Sequence, residues 1–155
     1  MISMSRLFLS VIFSICSLIV VAQIDSSKYQ KSLADSLGAD DYGMKMYVLV
    51  ILKTGTNKVE DKTKADSLFN GHFQNIKHLA DIGKLVISGP LLKNEKKYEG
   101  IFILNVKTIE EARLLLDTDP AINAKVLDAE TYQWYGSAAL PIYLPFHAKV
   151  QKKGF

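Results

Sequence analysis

The chain has 155 residues, of which 48% are hydrophobic and 23% charged, and its formal net charge is +3. A chain of this length forms one domain with a sizeable core. So small a positive charge leaves no electrostatic footprint for nucleic acid, and no nucleic-acid partner is expected. The single cysteine, Cys16, lies in an apolar N-terminal segment. If that segment is removed, disulfides, thiolate nucleophiles and cysteine-ligated metals are excluded.

Residues 1–22 are typical of a secretory signal peptide. Arg6 precedes an apolar run from Leu7 to Val21, and the small residue Ala22 follows it. The run is shorter than the roughly 20 residues of a spanning helix, so cleavage is favoured over a retained membrane anchor. Cys16 lacks the small preceding residue that lipoprotein processing requires. We therefore expect an exported protein, periplasmic or extracellular, without a stable membrane anchor after cleavage.

Residues 23–43 form a polar lead-in to the main domain. Tyr29, Leu33 and Leu37 recur every four residues and Gly38 follows them. This spacing predicts one short helix, ended by the glycine.

Residues 44–135 alternate between strand-like and helix-like patterns. Strands are predicted at 44–53, 84–88, 97–106 and 124–135, and helices at 65–80 and 108–116. Thr63 with Asp66, and Thr108 with Glu111, have the spacing of capping boxes, and Gly83 is placed to end the first helix. Residues 136–155 contain two prolines and are predicted to form an extended C-terminal tail.

The order β-α-β-β-α-β predicts the ferredoxin-like α+β fold, with one antiparallel sheet and both helices on one face. The segments "YVLVIL" and "IFILNV" are apolar on both sides. The sheet face without helices therefore needs a cover, because apolar residues on both sides cannot leave one side wet. A second copy of the chain is the simplest cover, and we expect a homodimer.

Two of the three histidines, His72 and His78, lie on the first predicted helix. On a helical wheel His72 points into the sector of Ala65, Leu68, Phe69, Ile76, Leu79 and Ala80. His78 points to the opposite side and is predicted to be a surface residue. Their spacing of six differs from the i, i+4 spacing of histidine metal ligands on a helix, so no metal site is predicted.

An inward histidine has two interpretations. It is either a core residue satisfied by a hydrogen bond or a general acid or base, which histidine's near-neutral pKa suits. A base needs an orienting partner, and the best candidate is Asp119, which precedes Pro120. Asp119 is also well placed to cap a helical turn that begins at the proline, and the two roles are compatible. Asp117 is a weaker alternative.

Other residues are candidates for lining a pocket near His72. Ser88, Gly89 and Pro90 supply a hydroxyl and a flexible backbone after the second strand. Trp134, near the end of the last strand, is suited to an apolar or aromatic ligand, although packing in the core or at a dimer interface also explains it. Asp128 and Glu130 alternate onto one strand face and are interpreted as solvent-facing.

The ordered motifs of the chain resemble the YCII-related domain family, within the dimeric α+β barrel superfamily. They are "YVLVILKTG", "HFQNIKHLADIGKLVISGPL", "EGIFILNVKTIEEA", "DTDPAINAKVL" and "QWYGSAAL", which span most of the chain after residue 45. The resemblance implies a ferredoxin-like fold that pairs into a dimeric barrel. It also implies a histidine–aspartate pair in a cleft, which maps onto His72 and Asp119. A few relatives act on small cyclic or chlorinated aromatic compounds.

Two functions are compatible with the sequence. The first is a cofactor-independent enzyme of the isomerase or lyase type, in which His72 and Asp119 transfer a proton on a small cyclic or aromatic substrate. No nucleotide or metal motif is visible, and no cofactor is expected. The second is a non-catalytic dimer that binds a small ligand or has a structural role, in which the same two residues form a buried polar contact and a helix cap.

Overall fold

The computed structural model describes residues 29–153. The predicted signal peptide, residues 1–22, lies outside the described residues. The described elements belong to one compact unit that begins at Lys31. Within residues 29–153, no helix is both long enough and apolar enough to cross a membrane.

The described elements follow one another in the predicted β-α-β-β-α-β order, with additions at both ends. In chain order they are α1 (Lys31–Leu37), β1 (Met44–Thr54), α2 (Lys62–Asp81), β2 (Leu85–Pro90), β3 (Tyr98–Leu104), α3 (Ile109–Leu116), α4 (Pro120–Asn123), β4 (Leu127–Ser137), a 3₁₀ turn (Leu140–Tyr143) and α5 (Leu144–Val150). Helix α1 lies where the four-residue spacing of the lead-in predicts one, and Gly38 follows it with a φ of 69°.

The four strands form one antiparallel sheet in the order β2-β3-β1-β4. Alternate residues of β1 and β3, including Val48, Val50, Phe102 and Leu104, form the core together with buried residues of α2, α3 and α4. Both long helices therefore cover the same face of the sheet. The predicted ferredoxin-like α+β fold is confirmed.

The sequence predicts the N-terminal cap of α3 correctly but not that of α2. The capping box of Thr108 and Glu111 is present at α3 as predicted. The capping box predicted for Thr63 is wrong, because α2 begins earlier, at Lys62, and its N-cap is Asp61. The Asp61 side chain accepts a hydrogen bond from the backbone N–H of Lys64, as a good N-cap residue does.

Strand β2 contains a β-bulge at Val86. Leu85 lies opposite Leu104 and Ile87 lies opposite Ile103, so one residue of β2 has no counterpart on β3. Val86 and Ile87 consequently both face the side of the sheet without the long helices, where they join a cluster with Tyr47 and Ile103. We call this side the far face.

The C-terminal segment does not form the extended tail predicted from its sequence. It folds into the 3₁₀ turn and α5, whose prolines stand in the first turns, where a missing N–H leaves no intrahelical bond unmade. Leu140 packs against the far-face cluster, and the Tyr143 hydroxyl donates a hydrogen bond to the carbonyl oxygen of Val86. Part of the far face is thus covered by the chain's own C-terminal segment.

Candidate active site

The two residues singled out by the sequence, His72 and Asp119, are in direct contact. The Nδ1 atom of His72 lies 2.6 Å from Oδ2 of Asp119, although the residues are 47 positions apart in the chain. Relative exposure is 6% for His72 and 1% for Asp119. An ionised carboxylate can only accept, so Nδ1–H of the imidazole is the donor.

Asp119 is fixed by the helix that it caps. Its Oδ1 atom accepts hydrogen bonds from the backbone N–H groups of Ala121, at 2.9 Å, and Ile122, at 3.3 Å. Pro120 opens α4, as the sequence predicts. One carboxylate oxygen therefore holds the aspartate in place while the other holds the imidazole, and the predicted capping role of Asp119 is confirmed.

A glycine on α2 lets the two residues approach each other. A Cβ atom placed on Gly71 would lie 2.8 Å from Cγ of Pro120, closer than real Cβ contacts. Helix α2 therefore passes α4 at a distance that only glycine allows at this position. His72 follows Gly71 and Asp119 precedes Pro120, so the close passage brings the pair together.

Three phenylalanines surround the imidazole of His72. The Phe102 ring on β3 is stacked at 6.1 Å between centroids, and Phe69 and Phe73 on α2 lie at 6.3 and 5.5 Å. Phe102 is buried, but Phe69 and Phe73 are 37% and 46% exposed. The pair is therefore at the border of the core, next to apolar rings that solvent reaches. The helical wheel places Phe69 in the buried sector, and this is wrong for its side chain, which is 37% exposed.

Solvent reaches the second ring nitrogen of His72, although the side chain as a whole is 8% exposed. Nε2 has no hydrogen-bond partner among the residues that the structure describes. Every sealed side-chain nitrogen or oxygen in that part of the chain does have a partner. Nε2 is therefore among the His72 atoms that account for the 8% exposure of this side chain. With Nδ1–H bound to Asp119, Nε2 carries the lone pair and can accept a proton.

The candidate pocket residues divide between the two faces of the sheet. Ser88 lies opposite Phe102 on β2, hence on the helix side, and is exposed. Gly89 and Pro90 follow Ser88 on the same edge strand, where they lie opposite Ile101 and Gly100. Trp134 does not reach His72, because it lies opposite Tyr47 on the far face. Trp134 packs over Gly136, where a Cβ atom would meet its ring at 2.5 Å.

Other acidic and histidine residues are separate from this pair. His78 is exposed on the opposite side of α2, as the helical wheel predicts. Glu130 is half-buried on the far face and accepts a hydrogen bond from Lys53 at 2.7 Å, which lowers the pKa of the Glu130 carboxyl. Asp128 lies 3.6 Å from the same ammonium group. Within residues 29–153 no three histidine, cysteine or acidic side chains are grouped as metal ligands would be.

An open groove adjoins the pair without including it. The groove runs along α2 next to Pro120 of α4, and among its lining residues are Ser67, Gly71 and Gln74. His72 points away from the groove, towards Phe102 and the sheet.

Comparisons with known proteins bring little to this geometry. No family model matches the chain, and no curated protein matches it. A solved structure similar to it is 5-chloro-2-hydroxyhydroquinone dehydrochlorinase (TftG) from Burkholderia phenoliruptrix AC1100, in complex with 2,5-dihydroxybenzoquinone. The identity is 14% and the TM-score 0.42, over 56% of this chain and 92% of that one. The fold and the site together define a ferredoxin-like α+β domain with a buried histidine–aspartate pair at the border of its core.

Proposed function

We propose that this protein is a cofactor-independent acid–base enzyme that transfers a proton on a small cyclic or aromatic compound. His72 accepts the proton at Nε2 and returns it to another atom of the substrate. Asp119 holds the imidazole tautomer and stabilises the imidazolium that forms. Isomerisation requires only such a transfer. In an elimination the proton stays on His72 while the bond to the leaving group breaks, the leaving group departs with the bonding electrons, and the imidazolium then loses the proton to solvent.

One observation supports this proposal above the others: the two nitrogens of His72 have different environments. Nδ1 is bound to a fixed, buried carboxylate, whereas Nε2 has no partner among the described residues and reaches solvent. A group that only fills the core gains nothing from an open nitrogen. The exposed parts of Phe69 and Phe73 beside the ring suit a flat apolar ligand.

The second candidate is a non-catalytic role, in which the pair is a buried polar contact between α2 and α4. It is favoured by the low exposure of both residues, 6% and 1%, and by the position of the open groove, which His72 does not line. In that case the histidine stabilises the fold and binds nothing.

A proton-abstraction assay distinguishes the two candidates without knowledge of the physiological substrate. In 5-nitrobenzisoxazole a base removes the ring C–H proton, the N–O bond breaks, and a coloured nitrophenolate forms. We expect the wild-type protein to be at least about tenfold faster than His72→Gln, since a positioned general base contributes that much or more. The matched variant His78→Gln should keep the wild-type rate. Equal rates for wild type and His72→Gln would favour the structural role.

We also propose that the protein is exported and forms a homodimer through the uncovered part of the far face. Leu49, Ile51 and Ile101 are half-buried there, and Tyr132 is 49% exposed. N-terminal sequencing of protein from the native host tests cleavage after Ala22. Light scattering of the mature chain tests the dimer, and a monomer at micromolar concentration would contradict it.

A further inference from the structure

Helix α5 exposes large apolar side chains to solvent. No residue of α5 is buried, and relative exposure is 57% for Phe146 and 80% for Val150. These two residues stand four positions apart, so they are neighbours on one side of the helix. Ile142, in the 3₁₀ turn before α5, is exposed as well. Exposed apolar side chains that adjoin one another mark a surface that contacts another molecule or a membrane.

The far face holds the beginning of this segment but not α5 itself. Leu140 packs against the far-face cluster, and the Tyr143 hydroxyl donates a hydrogen bond to the carbonyl oxygen of Val86. Between residues 144 and 153 no residue is buried. Helix α5 is therefore attached to the domain at its N-terminal end and presents its apolar side chains to the surroundings.

The charge of this segment is positive. No aspartate or glutamate occurs between residues 131 and 155, but three lysines do, Lys149, Lys152 and Lys153. They are three of the 19 basic residues, so the 16 others equal the 16 acidic residues in number. All three are exposed, and none forms an ion pair with another residue of the described part of the chain. The net positive charge of the chain is therefore concentrated beside the exposed apolar side chains of α5.

A ring and an ammonium group lie side by side on α5. The Nζ atom of Lys149 is 5.2 Å from the centroid of the Phe146 ring. If another protein covered the ring, this ammonium group would lose its water as well, at a cost that only a carboxylate placed against it offsets. At an anionic bilayer the ring enters below the head groups while the ammonium extends to the phosphates, so neither group is left unpaired. In a two-fold contact of this segment with itself, the partner would present the same lysines and no carboxylate.

We infer that residues 142–153, which we call the C-terminal surface, bind the surface of a bilayer that contains anionic phospholipid. Phe146 and Val150 enter the boundary between head groups and acyl chains, and the three lysines bind phosphate groups. Helix α5 then lies in the plane of the membrane rather than across it. The segment is attached to the far face, on the other side of the sheet from His72, and the inference does not depend on the proposed function.

The test uses the chain without residues 1–22, because their apolar run would itself bind lipid. The compact unit begins at Lys31, so this removal leaves every described element in place. Sedimentation measures binding to vesicles of phosphatidylcholine and phosphatidylglycerol, roughly 3:1, and to vesicles of phosphatidylcholine alone, at about 0.1 M salt. We expect the anionic vesicles to bind at least about tenfold more tightly, since each lysine near an anionic surface contributes roughly fivefold.

Phe146→Ser tests the apolar part of the C-terminal surface. It should weaken binding to the anionic vesicles by about tenfold or more, since a buried aromatic ring contributes at least that much. The variant should fold, because α5 contains no buried residue. Leu92→Ser is the matched control, since Leu92 is exposed beside lysines in the loop between β2 and β3. It should leave the binding of vesicles unchanged.

A double substitution tests the charged part. Lys152→Gln with Lys153→Gln should weaken binding to the anionic vesicles by about 25-fold and leave the weak binding to phosphatidylcholine as it is. Lys93→Gln with Lys96→Gln removes the same charge from the loop between β2 and β3 and should change binding by less than about twofold. Equal losses for the two pairs would overturn the inference, because the net charge and not the C-terminal surface would then attract the bilayer.

A fluorescent label locates the contact. The only cysteine of the chain, Cys16, is absent from the protein used, so Val150→Cys and Leu92→Cys each carry a single nitrobenzoxadiazole group. We expect anionic vesicles to shift the emission of the label at residue 150 to shorter wavelength, as entry into the acyl region does, and to leave the label at residue 92 unchanged. A shift at residue 92 alone would contradict the inference.

Two further results would overturn it. The first is equal binding of both kinds of vesicle. The second is a wild-type protein that binds no vesicles and is a dimer by light scattering, which Phe146→Ser separates into monomers; the C-terminal surface then covers a second copy. Neither result bears on proton transfer by His72, which the assay with 5-nitrobenzisoxazole tests by itself.

Discussion

Asp119 binds two partners with its two carboxylate oxygens: His72 through Oδ2, at 2.6 Å, and the N-terminus of α4 through Oδ1. The helix cap fixes the carboxylate before any ligand is present, so the imidazole is oriented by a rigid group. This arrangement joins the stability of the fold to the geometry of the candidate site.

Substitutions of Asp119 should separate these two roles. In Asp119→Asn the amide oxygen can still cap α4, so the free energy of unfolding should fall by only about 1 kcal/mol. The amide N–H₂ then faces Nδ1 and donates to it, which moves the imidazole proton to Nε2. Proton abstraction from 5-nitrobenzisoxazole should therefore fall to the level of His72→Gln.

Asp119→Ala should lose both roles. Loss of the cap and an unpaired buried imidazole together should cost about 2–4 kcal/mol in urea unfolding. Wild-type proton abstraction by a folded Asp119→Asn protein would contradict the orienting role of the carboxylate.

Gly71→Ala should disturb the pair although neither member is changed. Alanine gains about 1 kcal/mol of helix propensity over glycine, but its Cβ would lie 2.8 Å from the rigid Pro120 ring. Helices α2 and α4 must then move apart, and the 2.6 Å contact should lengthen.

The readouts for Gly71→Ala are a crystal structure of the variant and its rate of proton abstraction. Gly89→Ala is a suitable control, since a Cβ there meets no atom within 4 Å. A more stable Gly71→Ala protein with an unchanged His72–Asp119 distance would show that the close passage is not required.

The capping box of α3 predicts an acid-dependent loss of stability. Hydrogen bonds from the backbone N–H groups of Lys107 and Thr108 hold the pKa of Glu111 below its ordinary value of 4.5. A carboxyl with a lowered folded-state pKa stabilises the fold above about pH 4.5, and this contribution disappears as the pH falls through the folded-state value.

The measurement is urea unfolding of wild type and Glu111→Gln between pH 3 and 7. Glutamine keeps the capping hydrogen bonds without titrating, so the wild type should lose stability on acidification faster than the variant. Glu110→Gln, at the exposed neighbouring position, is the control and should follow the wild type. Parallel curves for wild type and Glu111→Gln would contradict the role of the carboxylate.

Much of the fold and the central pair could be predicted from the sequence because they follow local rules. The apolar runs of β1 and β3 are rich in strand-forming residues and favour strands with apolar side chains on both faces. The order Asp119–Pro120 is a helix start, and the helical period turns His72 inwards. Each of these signals is contained in a few neighbouring residues, and the structure agrees with each.

The features that the sequence did not predict depend on partners far away in the chain. The bulge at Val86 has no local pattern, because it is defined only by the register of β2 against β3. The face occupied by Trp134 follows from the pairing of β4 with β1. The sequence does not predict the C-terminal helices, because prolines in an apolar segment favour extended chain as readily as the first turn of a helix.

The most direct test of the central claim is modification of the histidines by diethyl pyrocarbonate, located by mass spectrometry. The reagent reacts with an unprotonated ring nitrogen that solvent reaches, so it reports on Nε2 of His72 without a known substrate. His78 and His147 are exposed and serve as internal references, and protein unfolded in urea gives full reaction. The account predicts that the reagent modifies His72 in the folded protein. It also predicts that 4-hydroxybenzoate slows the modification of His72 but not that of His78 or His147. Modification of His78 and His147 with no reaction at His72 until the protein unfolds would contradict it.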